Sequence, residues 1–177
     1  SVEKIRPNND IKHRRVDMVL FINGIPLVAI ELKKSLVNYE NGIKQLLKEQ
    51  RKEEIPHLFK FIQLCIAGNE NEARYGTSGT NLEQYSIWRE EKDSVKNLVQ
   101  NREITQLDRT LFSLLDKERL LRLVRHYIFF DNGVKKVCRY QQFFAVEKTL
   151  QRVEKLENGK RAGGLIWHTQ GSGKSLT

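Results

Sequence analysis

Two apolar runs joined by Asn23-Gly24 constrain this chain more than any other feature: residues 18–22 and 25–30 contain no charged side chain. Asn-Gly accepts the positive φ of a tight two-strand turn, so the stretch is predicted to be a β-hairpin. Its polar residues sit at the far end. Asp17 opens the first run, and Glu31 and Lys33 close the second. A charge in a buried strand is costly unless it is paired or ligated. Glu31 and Lys33, two apart on one strand, share a face. Asp17 joins them only in some registers. A two-residue turn alone sets Asp17 opposite Ile30, whereas a loop of three or five residues, or a single bulge, sets it opposite Glu31 with side chains about 5 Å apart. The odd-length arrangement is predicted, partly because Pro26 fits poorly inside a ladder.

Two carboxylates and a lysine at one end of a hairpin suit a definite chemistry. Asp17 and Glu31 can hold a hard divalent cation, most naturally Mg2+, with water and a phosphate oxygen completing its shell. Such a cation lowers the pKa of its water, and Lys33 can orient that water or offset phosphate charge. The same residues also fit ordinary charges at strand ends. Asp17 followed by Glu31-Leu32-Lys33 resembles the D…ExK motif of restriction-endonuclease-like nucleases. The fuller string from Asp17 to Lys34 resembles the N-terminal nuclease domain of the motor subunit of type I restriction enzymes. That resemblance implies metal binding by Asp17 and Glu31 and assistance to hydrolysis by Lys33.

The totals agree with such a protein without specifying it. A chain of 177 residues can bury a sizeable core. Lys and Arg exceed Asp and Glu by 31 to 22, a net charge of +9 that favours a polyanionic partner. Cys65 and Cys138 are isolated, without metal-ligand spacing, and fit a reducing compartment. There is no transmembrane-length apolar run or signal-peptide pattern, so cytoplasm is expected. The serine start and an ending inside a motif suggest an excised fragment, and the resembling family's usual helix and strand before this point imply that a piece of the nuclease domain is missing at the N-terminus.

Residues 1–15 are basic and are expected to be loop or edge strand; Arg14 and Arg15 there are candidate contacts to DNA phosphates or members of a solvated surface. Leu36, Tyr39, Ile43, Leu46, Leu47 and Gln50 fall at helical spacing, which predicts a helix over 36–52, weakened at Gly42. The resembling family often carries Gln-x-x-x-Tyr on such a helix. Gln45 matches, implying a role behind the metal ligands or at DNA, but position 49 is glutamate. After Pro56, residues 58–67 read as a buried strand and 69–81 as loop. Arg74 in that loop is a candidate DNA contact or a structural salt bridge. Tyr85, Ile87 and Trp88 suggest another short strand, with Trp88 in the core.

Leu98, Ile104, Leu107, Leu111 and Leu114 predict a helix between about 93 and 115, and Leu120, Leu121, Val124, Tyr127 and Ile128 a second one. Residues 119–139 are strongly basic. Arg122 and Arg125, as i,i+3 partners, form either a nucleic-acid track or a solvated stripe. Asp131-Asn132-Gly133 marks a turn. A further helix is expected from Tyr140 to about Glu157. Its start, Tyr140-Gln141-Gln142-Phe143-Phe144-Ala145-Val146, resembles the adenine-reading glutamine motif of superfamily 2 helicase motors, which implies that role for Gln142.

The last stretch carries a second chemistry. Leu165-Ile166-Trp167 reads as an apolar strand fragment, followed by His168-Thr-Gln-Gly-Ser-Gly-Lys-Ser175. Backbone amides around Gly171, Ser172 and Gly173 can curl about phosphates, Lys174 can reach the β and γ phosphates, and the Ser175 hydroxyl can ligate Mg2+. The usual first glycine of such a loop falls at His168. The string from Gly163 to Thr177 again resembles the type I restriction motor subunit, so two unrelated motifs appear in that family's order.

The expected fold is therefore α/β. A restriction-endonuclease-like mixed central sheet flanked by helices occupies residues 1–115, and residues 116–177 form a helical connection and the beginning of a RecA-like ATPase domain, truncated at the phosphate loop. The resemblance implies an ATP-dependent deoxyribonuclease subunit that translocates duplex DNA and cleaves it with Mg2+. Its implied partners are double-stranded DNA and the modification and specificity subunits of the complex, with no membrane. An isolated fragment ending at Thr177 is expected to lack ATPase activity, because the downstream carboxylate and second-lobe arginine of a motor lie beyond it. The alternatives are a nuclease-motor of another recombination or defence system and an inert DNA-binding module.

Overall fold

The computed structural model describes residues 14–90, 99, 102–167 and 173. They form two compact units, 1–137 and 138–177. The first is built on a four-stranded mixed sheet in the order β1 (Met18–Ile22), β2 (Ile25–Leu32), β3 (Leu64–Gly68), β4 (Ala73–Gly76). β1 and β2 are antiparallel, β2 and β3 parallel, and β3 and β4 antiparallel. The parallel pair requires a crossover, supplied by α1 (Glu40–Glu49) and α2 (Pro56–Phe59).

β2 and β3 are apolar almost throughout because both faces are covered. Ala29, Cys65 and Ala67 face a core with Ile43 and Leu46 of α1, Leu58 and Phe59 of α2, and Tyr85. On the other side, buried Tyr75 meets Trp88 edge-on at 5.7 Å between ring centres. Arg119 lies 5.6 Å over the Trp88 ring and pairs with Glu90. Burying Ile43 and Leu46 is worth about 1.5–3 kcal/mol each. The exposed Glu40–Lys44 pair, at 3.5 Å, is worth only about 0.3–0.5 kcal/mol. Packing therefore holds α1 in place.

Several boundaries depart from the periodic pattern. α1 starts at Glu40, four residues later than expected, and Leu36 is fully exposed. Asn38 Oδ1 accepts from Glu40 N at 2.8 Å, a local turn that competes with helix. Residues 58–59 belong to α2 rather than to a strand, since Pro56 at its first position favours a helical start. β4 lies in what composition read as loop; the polar residues on either side of it mask the inward alternation of Ala73 and Tyr75. Residues 85–88 form no strand. Leu82–Gln84 is a 3-10 turn, and only Ser86 bridges to Tyr75.

Further along, α3 (Gln106–Leu114) begins at a capping box made by Thr105 and Asp108. Leu98 lies outside the described residues. α4 (Lys117–Arg122) runs into a π turn, Leu123–Tyr127, and Ile128 opens a strand instead of closing a helix. The hairpin β5 (Ile128–Asp131) and β6 (Val134–Val137) turns at Asn132-Gly133 as expected.

In the second unit, α5 (Tyr140–Glu154) is followed by a small hairpin, β7 (Leu156–Glu157) and β8 (Lys160–Arg161), turning at Asn158-Gly159. α5 thus ends before Glu157. Leu165–Trp167 is exposed and unpaired rather than a strand, because no neighbouring strand among the described residues offers it a ladder.

Candidate active site

The hairpin turns through two residues, with Ile22 opposite Ile25 and φ positive at both Asn23 and Gly24. By itself that would turn Asp17 away from Glu31. A bulge between Leu20 and Phe21 inserts one extra residue, Leu27, on β2. From there Leu20 pairs with Val28, Val19 with Ala29 and Met18 with Ile30. One further step brings Asp17 across from Glu31. Pro26 is accommodated within the ladder, opposite Phe21, on the turn side of the bulge.

At this end of the hairpin Asp17 is exposed and accepts from Leu32 N through Oδ2 at 2.9 Å. Glu31 is buried, and its Oε2 has no hydrogen-bond partner. Burial raises its carboxyl above the ordinary carboxylate range; the Lys33 hydrogen bond opposes this, and the Asp17 charge pushes it further up. Lys33 Nζ donates to Glu31 Oε1 at 2.6 Å and to Gln45 Oε1 at 2.7 Å. Gln45 Nε2 in turn donates to Glu49 Oε1 at 3.3 Å. Four side chains from β2, its extension and α1 thus form one chain.

The backbone around Lys33 is tied down on the β3 side. Lys33 N donates to Gly68 O at 2.9 Å, and the Asn69 side chain donates to Val37 O at 2.8 Å. Asn69 and the buried Glu49 were not singled out from sequence as site residues. Glu49 carried a signal, as the departure from Gln-x-x-x-Tyr. Asn69 looked like an ordinary turn residue.

The candidate DNA-contacting arginines fare differently. Arg14 is ion-paired with Glu54. Arg74 pairs with Glu72 at 3.0 Å and lies 4.8 Å over the Tyr39 ring, the salt-bridge alternative. Arg15, Arg122 and Arg125 are exposed. Arg122 ends α4 while Arg125 sits in the π turn, whose wider coil does not preserve the α-helical i,i+3 stripe. Cys65 and Cys138 are free and buried, and burial pushes both thiols up to about 12, far from a reactive thiolate.

In the second unit, Gln142 is buried near the start of α5. Its Oε1 accepts from Arg139 N at 2.8 Å, capping the helix, and its Nε2 donates to Gly173 O at 2.8 Å. The amide therefore engages backbone at both ends. Gly171, Ser172, Lys174, Ser175 and His168 lie outside the described residues.

Among the described residues no three His, Cys, Asp or Glu side chains cluster as a metal cage. The acidic donors at the hairpin end are Asp17 and the unpaired Glu31 Oε2, a set that fits Mg2+, which is commonly held by one or two carboxylates plus water and phosphate. Among the described residues no helix is long and apolar enough to cross a membrane.

The structure thus defines an α/β protein with acidic and lysine side chains gathered at the end of a central hairpin. Residues 2–84 match the family described as Type I restriction enzyme R protein N terminus, and residues 141–177 match that described as SWI2/SNF2 ATPase. The putative type I restriction enzyme MjaVIIP endonuclease subunit of Methanocaldococcus jannaschii is 32% identical over 94% of this chain. The type I restriction enzyme HindI endonuclease subunit of Haemophilus influenzae is 31% identical over 91% of it. A Staphylococcus aureus subunit, SauCOLORF180P, is 30% identical over 95%. This chain belongs to the family of type I restriction enzyme R proteins, the endonuclease subunits. It spans 16–17% of the length of these relatives.

Proposed function

We propose that residues 14–90 carry the phosphodiester-hydrolysing centre of a type I restriction endonuclease subunit, of the restriction-endonuclease-like fold class, acting on double-stranded DNA with Mg2+. The observation that carries this reading is the register: one bulge turns Asp17 to the Glu31 side, where Glu31 Oε2 is buried and unpaired. Bound Mg2+ would supply an activated water and charge neutralisation at the phosphate. Asp17 and Glu31 would hold it. Lys33, fixed between Glu31 and Gln45, places a positive charge beside the scissile group and can orient a water or steady developing charge. Exposed Arg15, close in sequence to Asp17, is suited to a backbone phosphate.

Residues 138–177 would begin an ATP-binding motor domain of RecA-like class, with Gly171, Ser172, Gly173, Lys174 and Ser175 around the phosphates of ATP and its Mg2+ and Gln142 beside them. The match of residues 141–177 to SWI2/SNF2 ATPases supports that reading. The whole subunit would then translocate DNA with modification and specificity subunits in a cytoplasmic complex.

Calorimetric titration of Mg2+ into the full-length subunit, beside folded Asp17→Ala and Glu31→Ala variants, tests the centre. Binding that disappears in both, together with loss of DNA cleavage, is expected. Equal binding and cleavage in all three proteins would instead favour an inert docking module at this position.

A further inference from the structure

Glu49 is 3% exposed, and only one of its carboxyl oxygens has a partner. An apolar side chain would fill such a place at lower cost, so its presence calls for a role. Gln45 and Glu49 are four apart on α1 and share its inward face. That face lies against β2: a Cβ on Gly42 would stand 3.3 Å from the Glu31 carbonyl oxygen. The Gln45 amide has two unlike ends, a donor and an acceptor, and it bridges two groups that need opposite ones. Lys33 can only donate, so it requires the amide oxygen. The other end must then meet an acceptor, and Glu49 Oε1 is there at 3.3 Å.

We propose that Glu49 is a positioning residue of the nuclease centre: by accepting from Gln45 Nε2 it locks the Gln45 oxygen toward Lys33, and so fixes the lysine beside Glu31. The inference rests on the nuclease reading above and adds a residue to it. Without an acceptor at 49 the Gln45 amide is free to turn over, presenting N–H to an ammonium group and releasing Lys33. The lock does not require Glu49 to be ionised. A proton on Oε2 leaves Oε1 as an acceptor, so a neutral amide at position 49 performs the same task.

The test is single-turnover DNA cleavage by the full-length subunit in its complex, at saturating Mg2+, with DNA affinity and thermal unfolding measured alongside. Glu49→Leu is expected to slow cleavage about 10- to 100-fold, the usual loss when a residue supporting a metal centre is removed. DNA affinity should stay at the parent's level, because Glu49 is buried and offers DNA no surface. Glu49→Gln should restore most of the lost rate, which a merely space-filling role would not require. Should Glu49→Leu fail to fold, Glu49→Met, whose flexible side chain fills the space without an oxygen acceptor, takes its place, with the same loss and the same recovery in Glu49→Gln expected. Parent-like cleavage by Glu49→Leu, or a Glu49→Gln as slow as Glu49→Leu in a folded protein, overturns the positioning role while leaving the nuclease reading intact. Parent-like cleavage by Asp17→Ala overturns the nuclease reading and this inference with it.

Discussion

Gly42 in α1 packs directly against Glu31 in β2. A Cβ at this position would lie 3.3 Å from the Glu31 carbonyl oxygen and 3.2 Å from Ala67 Cβ. Both neighbours belong to central strands that cannot move aside. Gly42→Ala should therefore lose more from crowding, about 1–3 kcal/mol, than the roughly 1 kcal/mol it gains in helix propensity. Urea unfolding should show a net destabilisation. A more stable variant would mean that α1 can back away from the strand.

The bulge gives a sharper test of register. Inserting one alanine between Asp17 and Met18 shifts the pairing by one residue, as loss of the bulge would, and sets Asp17 opposite Leu32, on the other face from Glu31. Mg2+ binding should fall to the level of Asp17→Ala while the β2–β3 ladder survives. Calorimetry on the two variants compares them directly. Retained binding would show that the register is not what brings the carboxylates together.

Asp108 joins a capping box to an ion pair, accepting from Arg102 at 2.5 and 2.7 Å and from Thr105. The Arg102 hydrogen bonds hold its carboxyl at about 2, against an ordinary 3.8. The folded value is depressed, so the stabilisation is present above pH 3.8 and is lost as pH falls toward 2. Asp108→Ala should cost about 1 kcal/mol for the cap at neutral pH. Denaturant melts at pH 6 and at about pH 2.5 should show that difference shrinking as the carboxylate is protonated.

Glu49 has the opposite sign. Burial pushes its carboxyl up to about 7 from 4.5, with the Glu31, Glu54 and Asp17 charges adding to the shift against the Gln45 hydrogen bond. The folded chain binds that proton more tightly than the unfolded one. Its contribution is complete below pH 4.5 and declines as pH rises through 7. Compared with Glu49→Gln in Mg2+-free buffer, the parent should lose on the order of 1–3 kcal/mol across that window. Parallel stability curves for the two proteins would contradict the shift.

Gln142 separates into two tasks. Gln142→Glu keeps an acceptor for Arg139 N but lacks the donor for Gly173 O, whereas Gln142→Ala loses both. Amide exchange at the first turn of α5 should rise in the alanine variant and stay near the parent in the glutamate variant. Equal protection in all three would remove the capping role.

Sequence alone was informative where a local rule acts alone. Asn-Gly marked the hairpin at 23–24 and the turn at 132–133, because positive φ is cheap there, while the same pair at 158–159 makes a hairpin where helical spacing had pointed to helix as far as Glu157. The apolar runs on either side of Asn23-Gly24 read correctly as the two strands of a hairpin, and Trp88 as core. The motifs at the two ends named the family. Local pattern failed where neighbours compete. Asn38 delayed α1, Pro56 drew residues 58–59 into a helix, and Tyr75 made a strand of an apparently loop-like segment by packing on Trp88.

What the sequence determined was the inventory: two carboxylates, a lysine and a glutamine at spacings compatible with one centre, and the ambiguity of a hairpin whose register decides whether Asp17 belongs. Tertiary structure resolved that ambiguity, because strand side chains alternate with period two and a single bulged residue at Leu27 exchanges the faces. It also gave Glu49 its place. A helical i,i+4 spacing says only that Gln45 and Glu49 are neighbours; packing α1 against β2 through Gly42 is what brings Gln45 to Lys33, with Glu49 behind it, and leaves a carboxyl buried in a centre where hydrophobic pattern alone would have put a core residue.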